Sequence, residues 1–86
     1  MSGQDESNRA AMAQLRWRCR RGMKELDLLL LKYADGRYSA ADEAERRAFR
    51  QLLSMPDPEI MALLTGRSTT DDERLADVVE RLLSQT

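Results

Sequence analysis

A chain of 86 residues, 42% of them apolar, holds one domain with a thin core, burying roughly 60–65% of its unfolded surface. A formal net charge of −1 argues against a protein that coats nucleic acid. One Cys and no His exclude an internal disulfide, a Cys/His zinc site and any His-based catalytic triad, and a lone thiol fits a reducing compartment.

Residues 1–8 are polar and without periodicity, which predicts a frayed, disordered tail before a single helical domain over 9–84. No apolar run suited to a signal peptide occurs in 1–14, and Asp5 and Glu6 fit a transit peptide poorly. The longest apolar run, Leu28–Leu31, is far too short for a bilayer, so the expectation is a cytoplasmic protein without membrane insertion.

The spacing predicts a first helix from about Arg9 to Arg20, with Met12, Leu15 and Cys19 on its inner face. Trp17, the only Trp, falls on the opposite side among Arg16, Arg20 and Arg21. Gly22 then interrupts the pattern, suited to a C′ position or a sharp connection. A second helix over Met23–Asp35 carries Met23, Leu26, Leu29, Leu30 and Tyr33 on one face. Leu28 and Leu31 lie on its other side, the pattern of a central helix, and Gly36 is the expected C-cap.

Ser39, with Asp42 three residues on, is the expected start of a third helix whose apolar face is Ala41, Ala44, Ala48, Phe49, Leu52 and Leu53. It should end by Met55, ahead of Pro56. Asp57 as N-cap and Pro58 as first residue would open a short fourth helix to about Thr65, closed by Gly66. Thr70-Asp71-Asp72-Glu73 reads as a capping box for a fifth helix with Leu75, Val78, Val79, Leu82 and Leu83 on one side. No segment alternates as a strand does, so the fold expected is an all-α, compact bundle of five short helices.

Chemistry is sparse. Cys19 sits among arginines that could activate a thiol, but its phase places it in the core. The acidic groups Asp42-Glu43-Glu45 and Asp71-Asp72-Glu73 fall in first helical turns, where the helix dipole accounts for them without catalysis. Six basic residues and no acidic one lie between Arg9 and Lys24. Arg16, Arg18, Arg20, Arg21 and Lys24 could meet phosphates while Trp17 stacks on a base. The same stretch fits a protein-docking surface better, because Trp and Arg dominate interface hot spots and Glu25 and Asp27 follow at once.

Trp17-Arg18-Cys19-Arg20-Arg21-Gly22-Met23-Lys24-Glu25-Leu26-Asp27 resembles the signature segment of the small FAD assembly factors of succinate dehydrogenase, which carry an Arg-Gly-x-x-Glu motif. Phe49-Arg50-Gln51-Leu52-Leu53 and Asp57-Pro58-Glu59 extend the likeness, over roughly residues 9–84. Met61 and Leu63 depart from it, standing where that family often has aromatics.

The resemblance implies a five-helix assembly chaperone, not an enzyme, that binds the flavoprotein subunit of succinate dehydrogenase or fumarate reductase. It would promote covalent attachment of FAD to that subunit. FAD would be handled on the partner and not held stably by this chain, which would be monomeric when free. By position, Arg21, Gly22 and Glu25 become the functional motif, with Trp17, Arg20 and Asp27 as interface neighbours and no metal site. Arg21 and Glu25 would reach across the interface, and Gly22 would allow the partner's close approach. The alternative is an antitoxin-like or nucleic-acid-binding helical protein that uses the Arg16–Lys24 basic stretch.

Overall fold

Apolar residues recurring every three or four positions decide which side of each helix turns inward. In the computed structural model, which describes the backbone of residues 2–85 and the side chains of 8–85, they converge on a single core. The described elements are α1 (Ser2–Arg18), α2 (Lys24–Gly36), a 3-10 turn (Tyr38–Ala40), α3 (Glu43–Leu53), α4 (Asp57–Leu64) and α5 (Glu73–Leu83), with no strand among the described residues. The fold is all-α, with α3 packed chiefly on α5. Among the described residues no helix is long and apolar enough to cross a membrane.

Tyr33 from α2 and Phe49 from α3 form the centre, fully buried with ring centroids 4.4 Å apart, and Tyr38 sits at 5.8 Å from the same Phe49 ring. Leu30, Leu52, Ile60, Val78 and Leu82 close around them. Burying a Leu or Phe side chain contributes about 1.5–3 kcal/mol, so this small set supplies most of the drive to fold.

The phases read from sequence hold for Leu15, Cys19, Leu26, Leu30, Phe49 and Leu52, which are buried, and for Trp17, which is 73% exposed. Leu28, Met23 and Leu83 remain exposed, whereas Leu31 packs against the core and α2 meets both α1 and α5, the two neighbours that its apolar pattern suggested. Ala44 also faces solvent instead of joining the core.

Several boundaries differ from the sequence reading. Helical backbone starts at Ser2, not near Arg9, so the described part of the expected tail continues α1; Met1 lies outside the described residues. Gly36 is the last residue of α2 and does not turn left-handed; the cap is Arg37, whose N–H donates to the Tyr33 carbonyl. The chain then makes the 3-10 turn, and Asp42, not Ser39, caps α3 by accepting from the Glu45 N–H. Asp72 caps α5 in the same way, accepting from the Arg74 and Leu75 N–H groups. At α4 the N-cap is Pro56, with Asp57 already inside the helix, which frees the Asp57 carboxylate for another partner.

Candidate docking site

Residues 19–23 join α1 to α2. The last turn of α1 lies near the C-terminal end of α2, since Arg16 pairs with Asp35 there. Gly22 has φ +85°, a left-handed conformation that costs an L-side chain roughly 1–2 kcal/mol. A Cβ at Gly22 would meet nothing within 4 Å, so the glycine answers to backbone conformation here and not to crowding.

The sequence reading sends Arg21 outward to a partner; the structure turns it inward. Its Nε donates to Asp57 Oδ1 at 2.7 Å, and Nη1 donates to the carbonyls of Arg18 and Leu53, both at 2.9 Å. Nη2 donates to the Met55 carbonyl at 2.9 Å, and the side chain is 16% exposed. Arg18 and Leu53 are the last residues of α1 and α3, whose final carbonyls lack intrahelical partners. One guanidinium thus closes two helix C-termini, where a cation also complements the dipole, and pairs with an acid in the first turn of α4.

Asp27 is the other half of this fixture. Its Oδ1 accepts from the Arg21 backbone N–H at 2.7 Å, holding the connection to the first turn of α2. Arg21 and Asp27 are therefore engaged within the fold. Trp17, Arg20, Gly22 and Glu25 stay exposed, and among the described residues the Glu25 side chain has no hydrogen bond or ion pair. Although Arg21 and Glu25 stand four positions apart, Arg21 pairs with Asp57 and not with Glu25. Glu25 instead lines a shallow groove with Met23, Lys24, Leu26 and Met61.

The basic stretch is less available than its composition suggests. Arg16 pairs with Asp35, while Arg18 donates to the Ser54 hydroxyl at 2.8 Å and the Arg50 carbonyl at 3.3 Å. With Arg21 inward, three of the five cations that could have met phosphates serve the fold. Cys19 is fully buried as its phase predicted, and burial pushes its thiol up to about 11, far from a reactive thiolate at neutral pH.

A second charged cluster escaped the sequence reading. Glu45 is buried; it accepts from the Tyr33 hydroxyl and, through both oxygens, from Arg37 at 3.1 Å, with Arg81 at 3.6 Å. Arg37, helped by the Tyr33 hydrogen bond, holds the Glu45 carboxyl below its ordinary value against the opposing effect of burial. The signal was present: Glu45 lies in phase with Ala48, Phe49 and Leu52 at i+3, i+4 and i+7, on the core face of α3.

Residues 13–86 match the family model described as flavinator of succinate dehydrogenase. The FAD assembly factor SdhE of Idiomarina loihiensis is 39% identical over 72 residues, covering 84% of this chain and 80% of the relative. The factor of the same name from Methylococcus capsulatus is 44% identical over 69 residues, covering 80% and 83%, and that of Coxiella burnetii 33% over 72 residues, covering 84% and 88%. A family model spanning nearly the whole folded region, with relatives at this identity, places the five-helix chain and its Arg21–Asp27 connection in the flavinator of succinate dehydrogenase family, the family of the FAD assembly factors.

Proposed function

We propose that this protein is a cytoplasmic assembly factor that docks on the flavoprotein subunit of succinate dehydrogenase, or of fumarate reductase, and promotes covalent attachment of FAD to it. FAD belongs to the partner. The chain's own part is to bind that subunit and hold it in the arrangement in which its residues and the flavin react. It forms no bond itself and acts as a chaperone.

One observation carries this reading. Around a connection fixed by the Arg21 and Asp27 hydrogen bonds, Trp17, Arg20 and Glu25 are left exposed beside a bare stretch of backbone at Gly22. Exposed Trp and Arg are the residue types that anchor interfaces. A rigid display loses little entropy when a partner docks. The nucleic-acid alternative weakens for the same reason, because Arg16, Arg18 and Arg21 are held in internal contacts.

The test is co-expression with a flavoprotein subunit, reading covalent flavin by in-gel fluorescence after denaturation. Glu25→Ala should sharply reduce the signal while circular dichroism stays helical. Truncating one partner of an interfacial charge pair costs about 2–5 kcal/mol of binding. Full flavin attachment by Glu25→Ala, or a steeply salt-dependent gel shift with DNA or RNA, would overturn the reading.

A further inference from the structure

We infer that Asp57 is a positioning residue for partner docking, acting through Arg21 and not by touching the partner. The inference rests on the docking role proposed above. It starts from an acid whose place in α4 does not explain its contacts. Asp57 is the first residue of the helix after the cap, and no side chain caps α4. An acid there would ordinarily face solvent and act weakly on the dipole. The Asp57 carboxylate instead accepts from Arg21 Nε at 2.7 Å, across 36 residues of sequence, with its side chain only 32% exposed.

This bond completes the set around Arg21. The other guanidinium donors go to carbonyls of Arg18, Leu53 and Met55, so without Asp57 the guanidinium would hold the ends of α1 and α3 but lose its only tie to α4. That tie matters for the exposed surface. Met61 of α4 faces Met23, Lys24, Glu25 and Leu26 across the shallow groove, so the position of α4 shapes one wall of the surface on which Glu25 is displayed. Asp27 fixes the Arg21 backbone from α2, and Asp57 fixes its side chain from α4. Together they make the connection a three-way joint, with the left-handed Gly22 beside it.

Two measurements test this, one without the partner. In the free protein, Asp57→Ala should speed hydrogen exchange at the Arg21 N–H by about tenfold or more, the scale of one lost charge-assisted hydrogen bond. The change should exceed that at Val78 and Leu82 in α5. Asp57→Asn keeps an oxygen acceptor for Arg21 Nε and should show a smaller effect. Exchange at Arg21 that is unchanged, or raised only as much as in α5, overturns the inference.

In the complex, Asp57→Ala should weaken affinity for the flavoprotein subunit by about tenfold. In a Glu25→Ala background it should add little, because it acts by placing the same surface. Fully additive losses overturn the positioning role. If the unaltered protein does not bind the subunit at all, the proposed docking function fails, and the exchange measurement alone decides what Asp57 does. Should Asp57→Ala not fold, Asp57→Asn carries both readouts at reduced amplitude.

Discussion

Two charged clusters link the helices of this small fold, one centred on Arg21 and the other on Glu45, and they are built in opposite senses. At the α1–α2 connection a single cation is drawn inward among backbone carbonyls and Asp57, while its neighbours Trp17, Arg20 and Glu25 stay in water. At the other cluster a single anion, Glu45, is drawn inward beneath Tyr33, while the cations Arg37 and Arg81 remain partly in water around it. The first arrangement fixes a stretch of backbone and leaves the neighbouring side chains exposed. The second ties α2, the turn after it, α3 and α5 by their side chains. In a domain with a thin core, one cluster displays and the other fastens.

This division can be broken most visibly at Glu45. Glu45→Ala leaves the Tyr33 hydroxyl without its acceptor and removes the anion between two guanidinium groups. A loss of about 3 kcal/mol is expected in urea unfolding, with docking on the flavoprotein subunit retained at temperatures where the variant is folded. Trp17→Ala should do the reverse. Binding should weaken by about 2 kcal/mol in calorimetric titration, with the melting temperature unchanged, because the ring is 73% exposed and packs on little. A Trp17→Ala protein that unfolds easily but binds normally would remove the contrast.

Glycines sharpen it further. Gly22 and Gly66 share a left-handed backbone, φ +85° and +80°, and a Cβ would meet no atom within 4 Å at either. Gly22→Ala and Gly66→Ala should each lower stability by about 1 kcal/mol from backbone strain alone. Only Gly22→Ala should also impair docking, so equal binding by the two variants would separate Gly22 from the interface.

The smallest effect is that of acid. Because the folded Glu45 pKa is depressed, its stabilisation is complete above the ordinary value of 4.5 and is lost as pH falls through the lower folded value. Glu43, paired with Arg50, shifts in the same direction on the exposed side of α3. Urea midpoints should therefore decline below about pH 4.5, and Glu45→Gln should flatten that decline. A midpoint in Glu45→Gln that falls as steeply would assign the acid sensitivity to other carboxylates.

Much of the fold was legible because helical phase is a local property. The inward Cys19, the outward Trp17 and the apolar stripe of α5 follow from spacing alone. What spacing could not reveal was the inward turn of Arg21, whose acceptors, the Arg18 carbonyl apart, lie 32 to 36 residues away and are mostly backbone carbonyls, groups that every residue carries. The start of α3 was misplaced because Ser39 and Asp42 are both good caps, and the 3-10 turn settled the choice in favour of Asp42. At Glu45 the local charge pattern and the phase disagreed, and phase was the better guide. Within the segment that carries the resemblance, Arg21 and Asp27 hold the connection by internal hydrogen bonds, while Trp17, Arg20 and Glu25 stay exposed.

The burial of Cys19 has a practical consequence. Its thiol lies at the junction of α1 and the connection, has no solvent exposure, and stays protonated well above neutral pH. A thiol reagent can reach it only after this region opens, so the labelling rate in native conditions reports how often it does. The chain thus carries its own clock for the integrity of the segment that displays Trp17 and Glu25. Labelling should slow when a flavoprotein subunit covers that segment.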